Sequence, residues 1–282
     1  MISLEPGKVS ELSPLVRRIV APNPSVMTGP GTNTYLIGRE DIAVIDPGPD
    51  AASHLDAIVA AGEGRIRWVV VTHTHEDHSP AALPLARRTG AQLWGPIPPA
   101  GDEHQDFSFV PQRELHDGMQ LRSAEFTLTA VHTPGHVGNH YCLLLEDEQM
   151  LMTGDHIMNG STVVIVPPSG DMKDYLASLD KLKQWPLRHL APGHGELMPN
   201  PMEVVDRLIK HRLGREAKVF TALAALGSAT LDELVVPAYD DTPKSMHEFA
   251  KYSLLAHLIK LERDARVTRH EQRWAVCDTG QA

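Results

Sequence analysis

The chain has 282 residues and a formal net charge of −10, a length that suits one large domain or one domain with a small appendage. Apolar residues make up 42% and charged residues 22%, ordinary for a globular protein, and no apolar run approaches the roughly 20 residues of a membrane span. An acidic balance argues against broad adhesion to nucleic acid, yet it does not exclude a nucleic-acid substrate where bound metal ions add positive charge.

In chain order, the start carries no basic-then-apolar leader. Cys142 and Cys277 form neither a disulfide framework nor a metal-binding pair, so a cytoplasmic setting away from membranes is expected. Short β-type runs recur at 34–37, 42–45, 68–71, 126–131, 141–145 and 150–152, punctuated by turns such as Asp46-Pro47-Gly48 and Thr133-Pro134-Gly135. Helical stretches fall between them at 53–61, 80–88 and 172–185. Strands interleaved with helices predict a layered α/β domain over residues 1–202. From about Pro201 the texture changes. Helices are expected at 201–226, 231–236 and 245–264, then β-type segments at 266–268 and 273–276 around a turn at 270–272. The charge changes as well: residues 1–202 hold 14 basic and 24 acidic side chains, whereas 203–282 hold twelve of each.

The chemistry begins where the apolar run 68–71 enters Thr72-His73-Thr74-His75-Glu76-Asp77-His78. Imidazoles and a carboxylate packed this closely on a loop after a strand can converge on one small volume, a donor set suited to Zn²⁺ and also to Fe or Mn. His136 follows Thr133-Pro134-Gly135, Asp155 follows Thr153-Gly154, and His194 lies in Pro192-Gly193-His194-Gly195. Each is a ligand-type residue just past an apolar run, beside a glycine that lets the backbone approach closely. Any one alone reads as a loop residue; together they are specific.

The order HTHEDH, TPGH, GD and GHG resembles the signature of the metallo-β-lactamase superfamily, whose fold is an αββα sandwich. By that resemblance His73, His75 and His136 hold one metal, Asp77, His78 and His194 hold the other, and Asp155 bridges them. Asp46 matches the first motif and orients ligands rather than binding metal. Two ions, with zinc expected, acidify water and polarise a carbonyl or phosphoryl oxygen, and Asp77 orients that water or takes its proton.

The stretches 31–38 and 211–216, and the C-terminal 246–251 and 254–267, are similar to the β-lactamase-like-protein-2 branch, with its closing winged-helix-type module over 203–282. The resemblance implies endoribonucleolytic cleavage of single-stranded RNA. The same metal chemistry equally serves thioesters, lactones or β-lactams, small ester- or amide-type substrates. Ser79-Pro80-Ala81-Ala82 stands where many relatives have two glycines, so the loop rim can differ. His140, Asn159, Ser161 and Thr162 are candidate substrate contacts, and His140 and His156 candidate proton donors to a leaving group. Support of the ligands or a place on the rim is the favoured reading of the two histidines, and a plain turn serves 159–162 as well. The module's Lys251, Lys260, Arg263, Arg266, Arg269 and Arg273 are candidate RNA contacts, although capping the active-site groove or a homodimer contact would serve the module as well.

Overall fold

The computed structural model describes residues 4–277, which divide into two compact units. The first gathers residues up to 133, 139–163 and 184–201; the second gathers 134–138, 164–183 and 202 onward.

The first unit is built on two sheets. Its first sheet places β1 (Val9–Glu11), β2 (Val16–Val20), β3 (Asn33–Ile37), β4 (Ile42–Ile45), β5 (Ile66–Val70), β6 (Gln92–Gly95) and β7 (Arg113–Glu114) side by side in sequence order. Pairing is antiparallel as far as β4 and parallel from β4 to β7. Parallel neighbours need crossovers, and α1 (Ala52–Gly62) and α2 (Ala82–Thr89) supply them between β4 and β5 and between β5 and β6. The second sheet has the order β13 (Met198–Pro199), β12 (His189–Pro192), β11 (Met150–Gly154), β10 (Tyr141–Leu145), β9 (Thr127–His132), β8 (Gln120–Arg122).

Strand alternation decides what each face meets. Along β3, Tyr35 and Ile37 join Leu128, Leu143, Met152 and Ala191 of the second sheet in an inter-sheet core. Leu36, between them, joins Leu55 and Ile58 of α1 and Leu85 of α2 on the opposite face. The same holds on β4, where Ala43 and Ile45 face the other sheet and Ile42 and Val44 face the helices. Both faces being covered, β4 is buried at every position and reads as an unbroken apolar run.

Sequence patterning missed β2, whose central residues are Arg17 and Arg18. Both are buried with their terminal guanidinium nitrogens bonded inside the protein. Arg17 donates to the carbonyls of Ala61 and Gly38, and Arg18 to Gly195 O and the Glu196 carboxylate.

The second unit contains α3 (Met172–Lys181), α4 (Pro201–Leu226), α5 (Leu231–Ala238), α6 (His247–Arg263) and a small sheet of β14 (Ser228–Ala229), β16 (Arg273–Val276) and β15 (Val267–His270). The expected helices and wing appear close to their predicted bounds. Thr230 and Glu233 close a capping box that starts α5, a pairing the sequence displays directly. Val219, Leu223, Leu234, Leu254, Leu258, Leu261, Val267 and Trp274 make the unit's core.

The segment 211–216 ties this unit together. Arg212 lies over the Tyr175 ring of α3, Arg215 over the Tyr239 ring, and Glu216 Oε1 accepts from Lys260 of α6 at 3.1 Å. Trp274→Ala should lower unfolding stability by roughly 3–5 kcal/mol, the range for deleting a buried aromatic. A denaturant titration followed by far-UV circular dichroism checks this, and a change below about 1 kcal/mol would contradict the burial assigned to that ring.

Candidate metal centre

Asp46, His73, Asp155 and His194 each lie within three residues of the end of a strand, β4, β5, β11 and β12 respectively. That is where an open α/β sheet presents its polar loop ends. Four donors come together inside the first unit. Asp77 Oδ2 lies 3.1 Å from His194 Nε2 and 3.5 Å from His78 Nε2, while Asp155 Oδ1 lies 3.3 Å from His194 Nε2 and 3.4 Å from His78 Nε2.

These separations are long for charged hydrogen bonds, which run about 2.7–2.9 Å, and buried His78 Nε2 makes none. They match instead the ~3.3 Å between two donors on one tetrahedral ion with bonds near 2.0–2.1 Å. The four side chains therefore fit a divalent cation. Backbone room agrees with this: a Cβ at Gly193 would stand 2.8 Å from both Asp155 Oδ1 and His78 Cε1, so any larger residue would fill the cradle.

The ring nitrogens are sorted in advance. Asp46 Oδ1 accepts from the Thr72 N–H and Oδ2 from the Thr72 hydroxyl, both at 2.7 Å. With its proton given to Asp46, Thr72 Oγ1 is an acceptor towards His73 Nδ1 at 3.1 Å. Asp46 Oδ2 also takes the Nδ1 proton of His78 at 3.0 Å, and Gly31 O faces His194 Nδ1 at 3.3 Å. In all three rings the proton is drawn to Nδ1 and the Nε2 lone pair is left for ligation. His75 Nδ1 sits 3.1 Å from His73 Nε2, the spacing of two donors on a common ion. Asp46 holds this position at φ 47°, its N–H bonded to Val70 O.

His136 is carried on the 134–138 turn, which groups with the second unit. Its Nδ1 faces Val164 O at 2.7 Å, the same Nδ1-proton arrangement. Gly135, at φ 147°, has no space for a side chain, because a Cβ there would stand 2.4 Å from Tyr175 Cα.

Electrostatics follow from this crowding. Burial opposes charge on His194, but Asp155 and Asp77 outweigh it and lift its pKa to about 9. Burial also opposes charge on His78, whose pKa is nevertheless raised well above the usual value by Asp77, Asp155 and Asp46. Asp155 is held well below the carboxylate range: burial would raise it, and His194 and His78 prevail. His73 goes the other way, pushed well down by burial and by the neighbouring imidazoles.

His140 is fully buried, in the supporting place that its spacing favoured, and its Nε2 accepts the Asp155 N–H at 3.2 Å. Its Nδ1 proton goes to Thr133 Oγ1 at 2.9 Å, so the ring supports the Asp155 backbone. His156 is fully buried as well. Asn159, Ser161 and Thr162 are exposed on the segment after Asp155. Sequence reading gave no role to Thr72 or Arg18, whose partners Asp46 and Gly195 lie 26 and 177 residues away, nor to Thr133, which meets His140 seven residues on.

Two sheets packed face to face, with histidines and aspartates gathered past their strand ends, define the metallohydrolase class of α/β sandwiches. The chain belongs to the metallo-β-lactamase superfamily, the family its residues 27–194 match. Residues 230–274 match the beta-lactamase associated winged helix domain, and the fold is the expected αββα type with this C-terminal addition. Among its relatives is a beta-lactamase-like protein 2 homolog of Caenorhabditis elegans, 29% identical over 278 residues that cover 92% of this chain and 88% of that one. An atrochrysone carboxyl ACP thioesterase of Aspergillus fumigatus is 31% identical over 277 residues, covering 92% and 85%. The crystal structure of a beta-lactamase domain protein from Burkholderia ambifaria superposes with a TM-score of 0.80 at 21% identity, covering 98% of this chain and 97% of that one.

A cation entering this donor set must displace a proton from His194, because only the neutral ring ligates. With a pKa of about 9, that proton is present at pH 7.5. Apparent affinity should therefore rise with pH until about 9. Calorimetric titration of Zn²⁺ in two buffers of different ionisation heat should reveal proton release, and equal heats in both would remove His194 from the centre.

Proposed function

We propose that this chain is a binuclear metal-dependent hydrolase of carbonyl substrates, with thioesters of uncharged, apolar acyl groups its preferred class. This reverses the order expected from sequence, which put single-stranded RNA first. Residues 1–202 serve as the catalytic domain and 203–282 as the winged-helix-like module. His73, His75 and His136 would hold one ion, and Asp77, His78, Asp155 and His194 the other. When bound, two divalent ions (zinc, iron or manganese) supply Lewis-acid polarisation of the carbonyl and a water acidic enough to ionise near neutral pH.

One observation carries the substrate class. The loops attached to the donor cluster, residues 22–33, 72–82, 96–112, 156–163 and 192–199, contain no Lys or Arg. A nuclease groove needs such residues to meet phosphates. These loops also expose apolar side chains. Val26, 94% exposed, and Met27 stand on a turn fixed by Ser25 and Thr28, close in sequence to Gly31, which faces His194. Ile97, Phe107 and Val110 are exposed on a loop tied to the ligand segment by Asp106 N–H to Thr74 O and by Asn139, which donates to both Thr74 Oγ1 and Ile97 O. Exposed apolar side chains gathered around polar chemistry mark a ligand surface.

The six basic residues of the module that stood as candidate RNA contacts are engaged within its own unit. Lys251 pairs with Asp232, Lys260 with Glu216 and Asp264, Arg263 with Asp171, and Arg273 with Glu233. Arg266 lies over Phe220 and Arg269 over Trp274. The thioesterase relative supports the same reading.

Within the chain's own machinery, Asp77 is the cluster carboxylate most open to solvent, with 29% of its side chain exposed. We assign it to orient the attacking water and accept its proton. Asn159, Ser161 and Thr162 border the substrate, with hydroxyl and amide donors available to a carbonyl oxygen.

The zinc-loaded chain should release thiol from S-acyl N-acetylcysteamine substrates, faster as the acyl group becomes more apolar, and leave an end-labelled single-stranded RNA intact. His73→Ala and Asp155→Ala should abolish hydrolysis while the circular dichroism spectrum is retained. RNA cleavage by wild type alone would overturn the substrate class, and full activity in His73→Ala would overturn the site. Val26→Asp and Phe107→Asp should raise KM several-fold with kcat little changed, the signature of lost uniform binding.

A further inference from the structure

Within Gly31-Thr32-Asn33-Thr34-Tyr35, Asn33 is left without a task by the hydrolytic reading. Asn33 opens β3 and is fully buried. Its side-chain amide donates both hydrogens, to Pro192 O and to Gly195 O, each at 2.9 Å, and its backbone N–H donates to Gly193 O at 2.8 Å. One residue thus takes the three carbonyls around His194, two before it and one after. Thr32 adds a backbone bridge to His194 itself, and Arg18 reaches Gly195 O at 3.3 Å.

We propose that Asn33 is the positioning residue that presents His194 to the cation, so that affinity for the ion in the Asp77–His78–Asp155–His194 set depends on an amide that never touches it. This rests on the metal-centre reading given above.

The chemistry at position 33 is selective. Two carbonyl oxygens 2.9 Å from one nitrogen each take a hydrogen from it. The Tyr35 hydroxyl also reaches Pro192 O at 2.7 Å and Arg18 reaches Gly195 O at 3.3 Å, but Asn33 alone ties the two carbonyls to each other. Aspartate would aim a carboxylate at both carbonyls, serine supplies a single donor, and alanine none. Flipping the amide would set its oxygen against the same carbonyls, which fixes the orientation. The loop has no slack to absorb the loss: Gly193 packs against Asp155 and His78, and a Cβ at Gly195 would stand 2.9 Å from Asn159 Cβ. A small movement of either flanking peptide therefore rotates the imidazole. Outer-shell partners of metal ligands typically govern affinity by about 10–100-fold.

The test titrates the metal-free full-length chain with Co²⁺, whose visible d–d absorption reports ligand geometry, alongside thermal unfolding. Asn33→Ala should weaken one of two bound equivalents by about tenfold or more and alter the corresponding band, while the second equivalent binds as in wild type. Asn33→Asp should weaken it further. Arg17→Ala removes buried hydrogen bonds from the adjacent strand on the side of Ala61 and Gly38. It should lower thermal stability without changing either equivalent.

Should Asn33→Ala not fold, Asn33→Ser, which keeps one donor, carries the same comparison with a smaller expected loss. Wild-type affinities and spectrum in a destabilised Asn33 variant would overturn the proposal and leave Asn33 a packing residue. His194→Ala separates the two readings. Loss of one equivalent in that variant supports the centre on which the proposal is built, and retention of both would overturn centre and proposal together.

Discussion

The governing constraint is the close approach of two carboxylates, Asp77 and Asp155, in a site from which most water is removed. Like charges so placed repel, and burial alone would neutralise them. Here both are held ionised by the imidazoles of His78 and His194, which carry protons in return. The same two carboxylates and two imidazoles are the donors that fit a divalent cation. Much else follows from keeping these groups at 3.1–3.5 Å: the orientation imposed on His78 by Asp46, the missing side chain at Gly193, and the ring of His140 beneath the Asp155 peptide.

The two sheets meet this constraint with a division of labour. Strand interiors supply rigidity through an apolar core shared face to face, and strand ends supply the donors. Backbone bonds from β3 to the loop after β12 join the sheets at the place where the donors lie. Position in the cluster is thus set by main chain wherever possible, and side-chain freedom is limited to rings whose protons are already assigned.

The ligand-type residues were legible in the sequence because they are short-range objects. His73, His75, Asp77 and His78 fall within six positions, and Asp155 and His194 each sit beside a glycine whose small size is itself a signal. The layered α/β class, the helices after residue 201 and the terminal wing were also readable, since their periodicities are local. What the sequence hid were contacts between distant positions. β2 reads as polar until Arg17 and Arg18 are seen to be satisfied by carbonyls far away. Asn33 and Pro192 lie 159 residues apart. His140 reads as a supporting residue, but that its two nitrogens are committed to Thr133 and Asp155 shows only in the fold. The charges of the module told a similar story: a row of basic side chains suggested phosphate contacts, whereas folding directs each to an acid or an aromatic face nearby.

The absent side chain at Gly193 also sets where the protein can diversify. With atoms of Asp155 and His78 standing 2.8 Å from the vacant Cβ position, that site tolerates almost no variation, and neither do the buried residues that fix the ligands. The exposed turn at residues 25–29 and the 96–112 loop meet no such restriction at their tips, where Val26 and Val110 are largely solvent-facing. New substrate specificities can be explored there by one substitution at a time without disturbing the reacting groups. Evolvability in this scaffold is segregated in space from chemistry.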